Sequence, residues 1–364
     1  MAANFSSVPN LDYTLLSSPS TRPQFIAQLR HALINIGFLY LSNPPVAPED
    51  IQGVIDYAPK LFTIPQEEKD RIVMANSPHF LGYNRLGAEF TRGKTDQREQ
   101  FDFATEYRNT WQPGSPEYLK LWGEAQWPKE DTMPGFRATM LRYLKQVEAL
   151  SYEFINLLAE AFGLPPDALD QFYDRHGSMQ HRAKVVKYPA LDILDSNQGV
   201  GPHYDAGFLT FLLQASNHPG LQVQNLSGQW IDVPPIPGTF VVNIGKALET
   251  VTQGLARATS HQVLSPAPGS TPRYSIPFFQ NIRQDVKLGD IVLEFPPEVL
   301  KLRDERGTTG ATESVNFTEY DRLPAGQVNL IGRVKSHPDV GQRHYPDLFK
   351  QIFPKGLPAQ ASAY

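Results

Sequence analysis

The amino-acid sequence predicts an α+β protein whose β-rich part forms a sandwich or a barrel. Two observations support this fold class. Apolar residues recur at helical spacing before residue 162, and short β-rich segments follow one another after residue 180. The 32 prolines are scattered along the 364 residues, which suits many short strands joined by turns. Helices followed by a group of strands are typical of an α+β arrangement.

Three helices are predicted in the first half of the chain. The first spans residues 22–36, where five apolar residues recur at helical spacing. Thr21 and Gln24 are expected to form a capping box at its start, and Gly37 is expected to end it. The other two predicted helices are 48–61 and 135–162.

Short strands are predicted after the first helix and again beyond residue 180. Their residues are mainly β-branched or aromatic, and Pro, Gly, Asn and Ser lie between the segments. The chain beyond about residue 340 is interrupted by prolines and carries no assignment. The predicted strands are Phe38–Leu41, Ala183–Tyr188, Phe208–Leu213, Leu221–Gln224, Thr239–Asn243, Tyr274–Phe279 and Ile291–Leu293.

Composition excludes several functional classes. The net charge of −5 and the lack of a dense basic run argue against a nucleic-acid or anionic-membrane partner. Because the chain has no cysteine, any metal must be bound by His, carboxylates or carbonyl oxygens. The first residues lack the basic and apolar regions of a signal peptide, and no apolar run approaches the length of a membrane helix. We therefore expect a cytoplasmic protein, with a monomer favoured.

A metal site is predicted from three residues. His203 and Asp205 are separated by one residue, so in an extended segment their side chains would point to the same face. His261, from a later segment, would complete a set of two imidazoles and one carboxylate. Such a set leaves positions open on the metal, as non-haem Fe(II) oxygenases require, although zinc accepts the same ligands. Alternatively, His203 and Asp205 would only hydrogen-bond to each other.

A carboxylate-binding pair follows the third histidine. Arg273 and Ser275 have the same alternate spacing in the strand-like run RYSIPFF. A guanidinium can hold a carboxylate with two hydrogen bonds, and a hydroxyl adds a third. This pair suits the distal carboxylate of 2-oxoglutarate, and Tyr188 could donate a further hydroxyl. Taken singly, Arg273 would more often be a surface residue and Tyr188 a core ring.

The motifs KYPA, HYDAGFLTFLLQ, GLQVQN, GQWIDVPPIPGTFVVNIG, SHQV and RYSIPFF, in this order, resemble the isopenicillin N synthase-like 2-oxoglutarate/Fe(II) dioxygenases. The resemblance implies a double-stranded β-helix (jelly-roll) core flanked by N-terminal helices and a long helix. It implies that Fe(II), 2-oxoglutarate and O₂ take part. His203, Asp205 and His261 match the family's metal-binding triad, Arg273 and Ser275 its carboxylate-binding pair, and Tyr188 their tyrosine partner.

Three departures from the family pattern affect positions beside these residues. Lys246 stands where members often have Asp, and Gln262 where they often have Arg. The segment between His261 and Arg273 is longer than usual. We interpret these as changes that leave the ligands intact.

The predicted organisation is one structural unit with four regions. They are an N-terminal region (1–115), a long helical segment (116–178), the jelly-roll catalytic core (179–297) and a C-terminal extension that covers the active site (298–364). The candidate residues for binding a small-molecule substrate are Arg85, Glu89, Arg98 and Phe279.

Three functional hypotheses follow. The first is an oxygenase of secondary metabolism that hydroxylates, desaturates or cyclises a small molecule and converts 2-oxoglutarate to succinate and CO₂. The second is an iron oxidase of the isopenicillin N synthase type that does not use 2-oxoglutarate. The third is a non-catalytic, metal-binding member of the fold.

Overall fold

The computed structural model describes residues 4–91, 94–174, 179–190, 197–306 and 322–357. Its helices lie mainly before the jelly-roll strands and after them. They are α1 (Arg22–Asn35), α2 (Pro48–Leu61), α3 (Gln66–Arg71), α4 (Phe136–Ala161), α5 (Lys246–Val251), α6 (Pro297–Arg306), α7 (Ala325–Ser336), α8 (Pro338–His344) and α9 (Pro346–Ile352). Short 3₁₀ helices span Tyr13–Ser17, Met74–Asn76, Glu117–Leu121, Asp170–Phe172 and Leu288–Asp290.

The strands come from both halves of the chain. In the first half they are β1 (Asn10–Asp12), β2 (Phe38–Ser42), β3 (Gly82–Asn84), β4 (Phe90–Thr91), β5 (Lys94–Thr95) and β6 (Glu99–Ala104). In the second half they are β7 (Arg182–Tyr188), β8 (Gln198–His203), β9 (Leu209–Gln214), β10 (Leu221–Gln224), β11 (Trp230–Asp232), β12 (Thr239–Ile244), β13 (His261–Leu264) and β14 (Arg273–Phe279).

Two sheets form the core. The major sheet has the strand order β1-β2-β12-β9-β14-β7-β6-β3, and the minor sheet has the order β11-β10-β13-β8. Every pairing in them is antiparallel except that of β1 with β2. From β7 to β14 the chain alternates between the two sheets, except that β10 and β11 are both in the minor sheet, and this alternation is typical of a double-stranded β-helix. The predicted fold class is therefore confirmed, and strands of the N-terminal region extend the major sheet.

Apolar side chains cover both faces of the major sheet. Between the two sheets, Val186 and Val241 of the major sheet belong to the same buried cluster as Val223 and Val263 of the minor sheet. On the other face, the long helix α4 buries one side against the sheet, for example where Phe154 meets Phe211 at a ring-centroid distance of 5.6 Å. The jelly roll is thus closed on one side by helices, and its interior remains for the site.

The predicted helices are confirmed to within two residues, whereas two local predictions are wrong. Thr21 makes no capping bond to α1, because its hydroxyl donates to the carbonyls of Leu15 and Ser18 instead. Residues 291–293 form no strand and directly follow a short 3₁₀ helix, Leu288–Asp290. In the part of the chain that the structure describes, no helix has the length and hydrophobicity needed to span a membrane.

Candidate active site

Two strand ends of the minor sheet bring the predicted metal-binding residues together. His203 is the last residue of β8 and His261 the first of β13, and they are paired across the ladder with a ring-centroid distance of 4.2 Å. Asp205 lies two residues beyond the end of β8, so the argument from strand alternation does not apply to it. Its carboxylate nevertheless lies beside the two imidazoles: one ligand atom from each of the three residues lies within 4.8 Å of the other two.

Backbone carbonyls fix the orientation of both imidazoles. Nδ1 of His203 lies 2.8 Å from the carbonyl of Gly201, and Nδ1 of His261 lies 3.2 Å from that of Thr259. Each contact favours the tautomer with the proton on Nδ1, which leaves the Nε2 lone pair facing the common point. Burial, followed by the nearby His261, lowers the pKa of His203 to about 3. That imidazole is therefore neutral, as a metal ligand must be.

Hydrogen bonds also fix the Asp205 carboxylate. Its Oδ2 accepts from Thr210 Oγ1 at 2.5 Å and from Asn243 Nδ2 at 2.7 Å. Its Oδ1 lies 3.9 Å from Nε2 of His261. Burial alone would raise the pKa of Asp205, but the two histidines and these hydrogen bonds outweigh it and lower the pKa below its usual value. One oxygen is thus held by the protein while the other faces the imidazoles.

Arg273 is a buried cation with unused donors. Its side chain is among the largest that the fold buries completely, at 1% residue exposure. Nη2 donates to Gln214 Oε1 at 3.0 Å, but Nε and Nη1 find no acceptor among the described residues. Burial lowers the pKa of Arg273, and the nearby Tyr188 opposes this effect. A guanidinium keeps its proton in proteins. Two N–H groups of a buried cation therefore remain for an anionic ligand.

The register of the major sheet places Ser275 and Tyr188 beside Arg273. Arg273 is paired with Tyr188 across β14 and β7, and its guanidinium carbon lies 5.1 Å from the Tyr188 ring centroid. Ser275 lies two residues further along β14 on the same face. The three predicted carboxylate-binding residues therefore form one group.

A cavity of about 390 Å³ contains both groups of residues. It is lined by the triad of His203, Asp205 and His261 and by the group of Arg273, Ser275 and Tyr188. Its size is within the range of pockets that bind small ligands. The arrangement can hold a metal ion and a carboxylate ligand at once, with room for a further molecule.

Comparisons with known proteins agree with this geometry. Residues 8–130 match the family model described as non-haem dioxygenase in morphine synthesis N-terminal, and residues 174–282 match that of the 2OG-Fe(II) oxygenase superfamily. The chain is 44% identical over 360 residues to the 2-oxoglutarate-dependent dioxygenase frbJ of Dothideomycetidae sp. (strain 11243), covering 96% of this chain and 95% of that protein. The chain belongs to the 2-oxoglutarate/Fe(II)-dependent dioxygenases.

Two further similarities support this assignment. The homoarginine-6-hydroxylase of Glycine max is 30% identical over 300 residues, which cover 78% of this chain and 88% of that protein. A full-length Neurospora crassa protein crystallised in complex with alpha-KG superposes with a TM-score of 0.69 at 25% identity. That superposition covers 90% of this chain and 96% of the other. The enzyme is therefore a non-haem dioxygenase that uses Fe(II) and 2-oxoglutarate, which confirms the enzyme class and the cosubstrate of the first hypothesis.

The residues present fit both cofactors of this dioxygenase family. Two imidazoles and one carboxylate are the donor set that non-haem Fe(II) takes while keeping positions open. The two unused donors of Arg273 fit a carboxylate, which accepts hydrogen bonds from a guanidinium in pairs.

The four predicted substrate-binding residues do not all line the cavity. Arg98 and Phe279 line the cavity. Glu89 is buried in the wall behind Arg98, with which it forms an ion pair. Arg85 is not among the residues that line this cavity. Its side chain is 52% exposed and pairs with Asp70 at 2.7 Å, since the segment around it faces solvent.

Several cavity residues of the dioxygenase were missed in the sequence. Lys184 and Arg182 line the cavity from β7, and Arg333 lines it from α7. Alternate spacing from Tyr188 could have identified the two β7 residues, because every second side chain of a strand faces the same way. No comparable signal pointed to Arg333, which lies on a helix that the sequence did not predict.

The departures from the family pattern leave the triad in place. Lys246 forms an ion pair with Glu249, and its ammonium lies 4.3 Å from the ring centroid of Tyr204. Gln262 donates to Gln222 on the neighbouring strand. Neither side chain lines the cavity.

Proposed function

We propose that His203, Asp205 and His261 hold the Fe(II) of this dioxygenase through the two Nε2 atoms and one carboxylate oxygen. Their convergence within 4.8 Å supports the proposal, as does the anchoring of their other polar atoms. Thr210 and Asn243 would position Asp205, since both donate to its second oxygen. Anchored ligands of this kind bind metals more tightly than free ones.

Arg273, Ser275 and Tyr188 would bind the distal carboxylate of 2-oxoglutarate. Arg273 would supply the charge and paired hydrogen bonds, and the two hydroxyls would orient the carboxylate. Fe(II) with 2-oxoglutarate supplies the oxidation of a C–H bond by O₂, with release of succinate and CO₂. The surrounding chain would hold the reactants in a cavity from which bulk water is largely excluded.

The observation that carries the proposal is the presence of two incomplete polar groups in one cavity. A fully buried guanidinium with two unused N–H groups is unfavourable by itself. A three-residue metal-binding group lies in the same cavity. One molecule that binds metal at one end and carries a carboxylate at the other would satisfy both, and 2-oxoglutarate is such a molecule.

The prime substrate is proposed to be a small, amino-acid-like metabolite, with hydroxylation as the outcome. Relatives are named homoarginine-6-hydroxylases, and the Neurospora crassa protein was crystallised with thymine. Arg98 and Phe279 would contact the substrate, and Glu89 would hold Arg98 in place. A role in secondary metabolism, a cytoplasmic location, a monomeric state and the four-region organisation stay predictions.

The test is anaerobic titration of the Fe(II)-loaded protein with 2-oxoglutarate, followed by visible absorbance of the metal-to-ligand band. The native protein should give a saturable band with one iron per chain. Arg273→Leu should require far more 2-oxoglutarate, and Arg283→Leu is the matched control because Arg283 lies on the surface paired with Asp285.

Two outcomes would contradict this proposal. No band despite stoichiometric iron would favour the oxidase that does not use 2-oxoglutarate. Full iron binding by Asp205→Ala would show that the metal lies elsewhere.

A further inference from the structure

A second charged group lies in the cavity, away from Arg273. Tyr188, Val186, Lys184 and Arg182 alternate along β7, and all four line the cavity. Lys184 is four residues from Tyr188, which corresponds to about 13 Å of strand. The residues proposed to bind the distal carboxylate of 2-oxoglutarate are therefore separate from Lys184.

Lys184 is a buried ammonium whose two carboxylate partners lie just beyond hydrogen-bond distance. The residue is 8% exposed. Its Nζ lies 3.6 Å from Glu89 Oε1 and 3.6 Å from Asp102 Oδ1, and among the described residues it makes no hydrogen bond. An ammonium has three donors, and the two ion pairs leave its hydrogen bonds unmade. Burial accordingly lowers the pKa of Lys184.

Arg333 approaches the same place from α7. Its Nη1 lies 3.9 Å from Asp102 Oδ1, the oxygen that Lys184 also approaches. Within the described ranges its guanidinium makes no hydrogen bond. Arg182 differs, because its guanidinium donates to the backbone carbonyls of Phe80 and Leu121 and is thereby satisfied. Lys184 and Arg333 are thus two neighbouring cations with donors left over.

The acidic partners lie behind these cations and not in front of them. Lys184, Arg333 and Arg98 line the cavity, whereas Glu89 and Asp102 are not among its lining residues. The Asp102 side chain is 1% exposed. The acids therefore hold the cations in position, while the surface presented to a ligand carries positive charge. A cationic group placed beside Lys184, Arg333 and Arg98 would face like charges.

We propose that Lys184 and Arg333, assisted by Arg98, bind an anionic group of the prime substrate. This inference rests on the proposed function, since it concerns the molecule that is oxidised beside the metal. An oxyanion would accept hydrogen bonds from the N–H groups of both cations. Carboxylates and phosphate esters share this chemistry. An amino-acid-like substrate would thus be held by its carboxylate, with its hydrocarbon part free to reach the metal.

The experiment uses probes of equal chain length that differ in head group: hexanoate, hexyl phosphate, hexanamide and hexylamine. Each is titrated calorimetrically into the full chain with Fe(II) and saturating 2-oxoglutarate under anaerobic conditions. Hexanoate or hexyl phosphate should bind at least about tenfold more tightly than hexanamide, and hexylamine should bind most weakly. The anion that binds more tightly identifies which head group the site accepts.

Substitutions test which residues cause the preference for an anionic head group. Lys184→Met should remove the preference for the anion, and Arg333→Gln should reduce it. Arg333→Gln also serves if Lys184→Met fails to fold, because Arg333 is the more exposed of the two. Lys187→Met is the matched control: Lys187 is three residues along β7, pairs with Glu99 at 3.3 Å and is not a lining residue.

The outcomes separate this inference from the proposed function. Equal affinity for hexanoate, hexyl phosphate and hexanamide, or no measurable binding of any, would overturn the anion site. So would a preference that survives in both Lys184→Met and Arg333→Gln. A failure of 2-oxoglutarate itself to bind in the first titration would instead contradict the proposed function, and the variant comparison would still decide the anion site.

Discussion

Replacing Arg273 by leucine should stabilise the ligand-free protein while it weakens 2-oxoglutarate binding. Nε and Nη1 of Arg273 are buried without an acceptor among the described residues, and each such group costs about 1–3 kcal/mol. The substitution also removes a desolvated charge, which adds to the gain. Against this stands the lost hydrogen bond to Gln214, whose Oε1 would then need another donor. We expect a net gain of about 1–3 kcal/mol in the free energy of unfolding.

The same substitution removes the charge proposed to bind the cosubstrate. A desolvated, hydrogen-bonded charge contact contributes about 2–5 kcal/mol, so the Kd for 2-oxoglutarate should rise roughly 30-fold to several-thousand-fold. Urea unfolding of the metal-free and cosubstrate-free protein gives the first quantity, and calorimetric titration gives the second. Stability and binding should thus change in opposite directions, as is common at functional sites.

Arg182→Leu is the control for the stability measurement. Arg182 is also a buried cation of the major sheet, but its guanidinium donates to backbone carbonyls. Its loss leaves those carbonyls unpaired and should destabilise the protein by about 2 kcal/mol or more. A destabilisation of Arg273→Leu equal to that of Arg182→Leu would refute the idea that Arg273 is kept for a ligand.

Three further predictions concern the metal-binding residues and the buried histidine. Asp205→Ala should abolish iron binding, measured as iron per chain, while the unfolding free energy falls by no more than about 2 kcal/mol. Gly245→Ala should weaken iron binding at least about tenfold, because the added Cβ would displace the backbone that carries Asp205. This Cβ would lie 2.1 Å from the Gly207 carbonyl oxygen and 3.1 Å from that of Asp205. Unchanged iron affinity would contradict this prediction. Burial lowers the pKa of His181 from 6.5 to about 3. As the pH falls from 6.5 to 3, this histidine therefore takes up its proton more readily in the unfolded chain than in the folded one, and the free energy of unfolding should fall. In His181→Gln, the free energy of unfolding should depend less on pH between these two values. An equal pH dependence in the variant and the native protein would refute this prediction.

The sequence pointed to the candidate metal-binding residues, but the structural reason that we expected for their proximity was different from the one observed. His203 and Asp205 were expected to share a face of one strand, but β8 ends at His203. Asp205 is instead placed by hydrogen bonds from Thr210 and Asn243, which belong to β9 and β12. Bonds between residues so far apart in the chain leave no local pattern. The motif spacing nevertheless pointed to three residues that the fold brings together.

The C-terminal helices show why local patterns failed elsewhere. Pro338 and Pro346 suggested an irregular tail, yet each is the first residue of a helix, where proline costs no hydrogen bond. Residues 291–293 had strand-like side chains, but among the described residues they belong to neither sheet. Lys184 could have been found from its alternation with Tyr188, whereas the approach of Arg333 depends on how α7 packs against the sheet.

The measurement that most directly tests the proposed iron site is an anaerobic crystal structure with Fe(II) and 2-oxoglutarate, with anomalous diffraction recorded at the iron edge. The anomalous peak should lie between Nε2 of His203, Nε2 of His261 and a carboxylate oxygen of Asp205. The distal carboxylate of 2-oxoglutarate should contact Nε or Nη1 of Arg273. An iron peak away from these three residues, or a 2-oxoglutarate carboxylate bound to Lys184 while Arg273 stays unpaired, would contradict the proposed function.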